Sequence, residues 1–131
     1  MIYLITGQLE LYTPAGYSMA TVEEALEYLN NLEVIAYDSE TTGFDPYLTE
    51  LISIQLGNEE KQYVIDTNTI NISLFKTLLE TKELIMHNAK FDLKFLYHKK
   101  IVPTKIFEFT SQTKGQSLNP SNPTFQFKLP E

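Results

Sequence analysis

One stretch dominates the folding choices of this chain: Val34-Ile-Ala-Tyr-Asp-Ser-Glu-Thr-Thr-Gly-Phe-Asp-Pro46. Val34 to Tyr37 is an apolar run of strand formers, closed downstream by Gly43 and Pro46, and reads as a buried β-strand ending near Asp38. Alternate side chains of a strand share a face, so Asp38 and Glu40 should lie side by side, with Cα atoms roughly 7 Å apart. Carboxylates held that close on a partly buried strand end repel, and each raises the other's pKa unless a cation sits between them. The chain has no Cys and only 2 His, so such a cation would be held by oxygen, which favours Mg²⁺ or Mn²⁺ over Zn²⁺. The plainer alternative is a pair of acids capping a turn after the strand.

A chain of 131 residues, 43% of them hydrophobic, is expected to form one globular domain with a core of its own. The absence of Cys excludes a disulfide framework, and no long apolar run or cleavable signal is visible, so a cytoplasmic protein without membrane contact is expected. A net charge of −7 opposes binding of a polyanion. It does not exclude it, because acidic metal sites carry negative charge until filled. The charge is also uneven: there is no Arg, and Lys90, Lys94, Lys99, Lys100 and Lys105 fall close together. They form either a phosphate-facing patch or an ordinary solvated helix face. Without Arg, bidentate base readout is not expected.

Met1–Thr6 and Leu9–Thr13 are strand-like and suggest a small hairpin or lead-in pair, followed by a turn at Thr13-Pro14-Ala15-Gly16. Thr21-Val22-Glu23-Glu24 has the capping-box pattern, opening a helix that stops at Asn30-Asn31. Leu51–Leu56 and Gln62–Asp66 read as two more strands. Short connections join them to the first into an antiparallel meander. A helix from Asn71 through Leu79 then leads to a short strand, Leu84–Met86, which a crossover would place parallel.

Asn88 to Lys100 has helical periodicity, with Ala89, Phe91, Leu93, Phe95 and Leu96 on one arc and Lys90, Lys94 and His98 opposite. Asp92 falls inside the apolar arc. An acid there is costly unless it is paired, hydrogen-bonded or bound to metal; its position near a helix N-terminus offers the dipole as the other explanation.

Asp38-Ser39-Glu40-Thr41-Thr42-Gly43-Phe44-Asp45-Pro46, followed in order by His87-Asn88-Ala89-Lys90-Phe91-Asp92, resembles the first two motifs of the 3′-5′ exonucleases with four acidic ligands. That superfamily includes the proofreading domain of DNA polymerase I and ribonuclease D. The resemblance implies an α/β, ribonuclease-H-like mixed sheet, an antiparallel meander followed by parallel strands, flanked by helices. It implies two divalent cations, Mg²⁺ or Mn²⁺, with Asp38 bridging them, Glu40 completing one site and Asp92 serving the other. The substrate implied is the 3′ end of single-stranded DNA, or RNA. Thr41 and Asn88 fall where the family contacts substrate. Phe44 stands where a leucine usually wedges against the terminal bases; it either stacks on them or packs over the turn. His87 and His98 read as structural or solvent-facing.

The family's third motif, Tyr-x-x-x-Asp or His-x-x-x-x-Asp on a late helix, has no counterpart here, since no Asp follows Asp92. The resemblance spans residues 1–109; residues 110–131 turn polar and proline-punctuated, and read as an irregular or extended tail. Neither Glu108 nor Glu131 has the spacing of the missing acid. The expectation is therefore an incomplete version of the fold, truncated before the third motif. Either its activity is impaired, or it is a non-catalytic nucleic-acid-binding remnant that a polymerase or second chain completes.

Overall fold

The computed structural model describes residues 1–8, 15–109, 115–117 and 126–127. Its centre is β3 (Val34–Thr41), reached through β1 (Ile2–Ile5), β2 (Tyr17–Met19) and α1 (Val22–Asn30). The capping box is formed as its residues predict. The Glu24 amide donates to the Thr21 hydroxyl at 3.1 Å, and the Thr21 amide donates to the Glu24 carboxylate at 3.2 Å.

β4 (Leu51–Gly57) and β5 (Gln62–Asp66) pair antiparallel to complete the expected meander. The turn between them is tight: a Cβ on Gly57 would run into the Lys61 carbonyl. A 3₁₀ turn (Ile72–Phe75) and α2 (Lys76–Thr81) lead to β6 (Glu83–Met86), which pairs parallel with β3. α3 (Ala89–His98) then crosses to β7 (Lys105–Glu108), parallel to β6. β8 (Gly115–Ser117) and β9 (Gln126–Phe127) extend that edge, giving a mixed sheet of order β2-β1-β5-β4-β3-β6-β7-β8-β9. Strands of both senses flanked by helices give the ribonuclease-H-like layout.

The N-terminal pairing differs from expectation. Leu9–Thr13 lies outside the described residues, and β1 is flanked by two parallel neighbours, β2 and β5. Of the tail expected to be irregular or extended, only β8 and β9 are described, and its other residues lie outside the described ones.

β3 itself departs from the sequence reading in two ways. It continues past Asp38 to Thr41, because β4 supplies partners as far as Leu51, with a register shift between Glu40 and Thr41. Nor is it buried on both sides. Ile35 and Tyr37 join one core cluster with Ala25 and Leu29 of α1, Leu79 of α2 and Leu96 of α3. The alternate set, Val34, Ala36, Asp38 and Glu40, is exposed. The helices turn their apolar sides to one face of the strand, and the apolar run alone could not reveal that asymmetry.

Candidate active site

The bulged end of β3 presents three polar side chains to two sides. Asp38 and Glu40 share the outer face, as their spacing requires, and both are exposed there. The Asp38 carboxylate accepts the Ser39 amide at 2.9 Å, and Asp38 borders a cleft of about 140 Å³ with Ala36, Gln55 and Gln62. Ser39 turns the other way and meets Asp92.

Asp92 occupies the first turn of α3 on its buried side and is only 4% exposed, as the apolar arc implied. The Ser39 hydroxyl donates to it at 2.5 Å, tying strand to helix across 53 residues of sequence. Burial pushes the Asp92 carboxyl up to about 6; the Ser39 bond works against that, Asp38 raises it further and His87 lowers it. Asp38 thus acts on Asp92, a coupling that the spacing of Asp38 and Glu40 along the strand did not foreshadow. Tyr37, one turn of the pleat before Ser39, is buried with no hydrogen-bond partner for its hydroxyl among the described residues. Burial first, then Asp92 and Asp38, hold its pKa well above the usual value.

The remaining sequence candidates sit around this junction. The Thr41 hydroxyl donates to the Gly43 carbonyl at 2.7 Å and so braces the following turn. Phe44 is 81% exposed and meets the ring of Phe91 edge-on, centroids 5.9 Å apart. Asn88 is exposed at the N-cap of α3 and makes no side-chain capping bond. The first amide of that helix, Ala89, donates instead to the Glu108 carboxylate at 3.0 Å. Sequence reading missed this use of Glu108, as it missed the Ser39 bond, because both partners are distant in sequence and only the parallel strand order brings them together.

Three acids therefore converge on one strand end, but they are not gathered as ligands. Among the described residues no group of three or more Asp, Glu, His or Cys side chains is arranged to hold a metal ion. The donor chemistry suits a hard divalent cation, being all carboxylate oxygen. The geometry is unclosed: two acids face out, and the third is hydrogen-bonded beneath the strand.

A mixed sheet whose central strand ends in an outward acid pair, with a buried acid on a following helix, is the frame of a ribonuclease-H-like nuclease. The sequence profile of the 3′-5′ exonuclease family matches residues 17–121. The chain belongs to that family. DNA polymerase I of Aquifex aeolicus is 35% identical over 88 residues, 66% of this chain and 14% of the polymerase. Two solved structures share the fold. Brucella melitensis NrnC has a TM-score of 0.60 at 21% identity, covering 82% of this chain and 48% of that one, and a further structure of it carries bound Mg²⁺. Escherichia coli RNase D, an exoribonuclease involved in structured RNA processing, has a TM-score of 0.57 at 23% identity, covering 66% and 24%. The chain thus spans less than half the length of each of these three relatives. No helix among the described residues is long and apolar enough to cross a membrane.

Proposed function

We propose that this chain supplies the acids of a 3′-5′ exonuclease acting on the 3′ end of single-stranded DNA, with Asp38, Glu40 and Asp92 as ligands for Mg²⁺ or Mn²⁺. One observation carries the reading. A buried aspartate from the second motif reaches the same strand end as the exposed acid pair of the first, close enough for Asp38 to raise its pKa. Two cations held by these residues would supply activation of the attacking water and stabilisation of the leaving 3′ oxygen. The protein's own share is to hold Asp92 at the strand through Ser39, to offer Asp38 and Glu40 to solvent, and to set Phe44 beside Phe91 where a terminal base can stack. The DNA preference rests on the likeness to a DNA polymerase I; the RNase D likeness makes RNA the competing substrate.

The unclosed geometry favours a second reading. The outer face carrying Asp38 and Glu40 continues into an open groove of about 640 Å³ lined by Val34, Ala36, Ile85 and Leu32. In that reading the chain binds nucleic acid but turns over only when a further segment or a partner, such as a polymerase, adds the missing ligand. Digestion of 5′-labelled single-stranded DNA and RNA, with Mg²⁺ or Mn²⁺ and with EDTA, separates the two. Shortening from the 3′ end that EDTA abolishes supports the first reading, and the preferred strand names the substrate. Binding without cleavage supports the second. Neither binding nor cleavage contradicts both.

A further inference from the structure

We infer that the loop after β3 and the outer face of α3 form a second station for single-stranded nucleic acid, where a base stacks on the exposed face of Tyr47 beside His98. The inference deepens the proposed function and rests on it. Leu48, Phe44 and Tyr47 are the most exposed large apolar side chains among the described residues, at 83%, 81% and 81%. They stand on a loop held by its own bonds. The Asp45 carboxylate accepts the Tyr47 amide at 2.9 Å, and the Asp45 carbonyl accepts both the Thr49 amide at 2.9 Å and the Thr49 hydroxyl at 2.6 Å. The Thr42 amide donates to the Glu50 carbonyl at 2.9 Å and closes the loop base. Apolar rings fixed in water mark a binding surface.

The helix beneath says what binds. Both rings form T-shaped pairs with α3, Phe44 with Phe91 and Tyr47 with His98, the latter with centroids 4.9 Å apart at 76°. A T-shaped contact uses at most one face of a ring and leaves the other open for stacking. Phe91 and His98, which the sequence reading set on opposite arcs, are seven residues apart, just under two full turns, so both sit at one edge of the apolar arc about 10 Å apart along the helix axis. Lys94 lies between them on that side and is exposed, with Lys90 and Lys99 flanking. Open aromatic faces interleaved with lysines suit a single strand, whose bases stack while its phosphates meet the ammonium groups. Glu50 is the acid that lines the adjoining cleft, whose volume of about 480 Å³ is within the range of ligand sites. Phe91 immediately precedes Asp92, so the Phe44 station adjoins the acids. The Tyr47 station lies about three stacked nucleotide steps further along, at roughly 3.4 Å each.

Length dependence tests this. Fluorescence anisotropy in EDTA at low salt compares 5′-labelled oligothymidylates of two and eight residues. Tyr47→Ala is expected to lower the ratio of long to short affinity at least about fivefold, since one stacked base contributes about 1–3 kcal/mol. Tyr47→Phe should keep the ratio and Tyr47→Leu should lose it, which separates stacking from apolar contact. If wild-type protein binds the octamer and Tyr47→Ala leaves the ratio unchanged, the loop serves another partner, such as an apolar protein surface, and the inference is overturned. If wild-type protein binds neither length, in EDTA or with Ca²⁺ supplied in its place, the nucleic-acid reading falls and this one falls with it.

Discussion

The two faces of β3 differ by one residue of register and supply acids in opposite conditions. On the outer face Asp38 and Glu40 stand in solvent, free to meet a cation or a substrate. On the inner face Ser39 grips an aspartate that burial has pushed up to about 6. Strand alternation thus lets one short motif present charge on one side and hold a reluctant charge on the other. The inner acid keeps its charge near neutrality at a cost, which a cation would relieve.

Removing an outer acid should have the largest effect. Asp38→Ala is expected to lower any Mg²⁺-dependent 3′ digestion by about a hundredfold or more if Asp38 holds metal as proposed. Unchanged digestion would dissolve the contrast between the faces as a functional one.

The inner acid is probed by stability in EDTA. A carboxyl whose folded pKa lies above its unfolded value holds its proton more tightly when folded, so its contribution is present at pH below about 4. That contribution is lost as pH rises through about 6. A shift from 3.8 to about 6 is worth roughly 3 kcal/mol for so buried a group. Asp92→Asn should therefore match wild type near pH 4 and exceed it by up to about 3 kcal/mol at pH 7.5, by urea denaturation. A pH-independent difference would show that Asp92 is not held in this way.

The link between the faces is the Ser39 hydroxyl. Ser39→Thr and Ser39→Val have the same shape, but only the first can donate. At pH 7.5 Val should cost about 1.5–3 kcal/mol relative to Thr, the range for hydrogen bonds to charged groups. Equal stabilities would make the bond incidental. The smallest effect is expected at the helix start: Glu108→Ala, which frees the Ala89 amide, should cost about 1 kcal/mol by thermal unfolding. A much larger loss of metal affinity in that variant would instead assign Glu108 to the site.

The sequence made legible what local pattern encodes. The α1 cap, the meander and the crossover follow from short-range signals, and Asp92 betrayed itself as an acid among Phe95, Leu96 and Leu93. What could not be read was which face of each strand the helices would cover, since Val34-Ile35-Ala36-Tyr37 is apolar at every position while only alternate residues are buried. The Ser39–Asp92 and Ala89–Glu108 bonds were equally hidden, because they depend on a sheet order that places β6 between β3 and β7. The Tyr47–His98 pairing was hidden too, since it depends on how the loop after β3 folds back over α3.

The central claim is that Asp92 of α3, beneath β3, serves the same metal centre as the acids on the outer face of that strand. The most direct measurement is a ¹³C NMR titration of the Asp92 carboxyl, with and without saturating Mg²⁺. The account predicts a midpoint near 6 without the ion and a clear fall with it, as the cation favours the charged form. A midpoint that Mg²⁺ leaves in place would show that Asp92 belongs to the core beneath the strand and not to a site shared with Asp38 and Glu40.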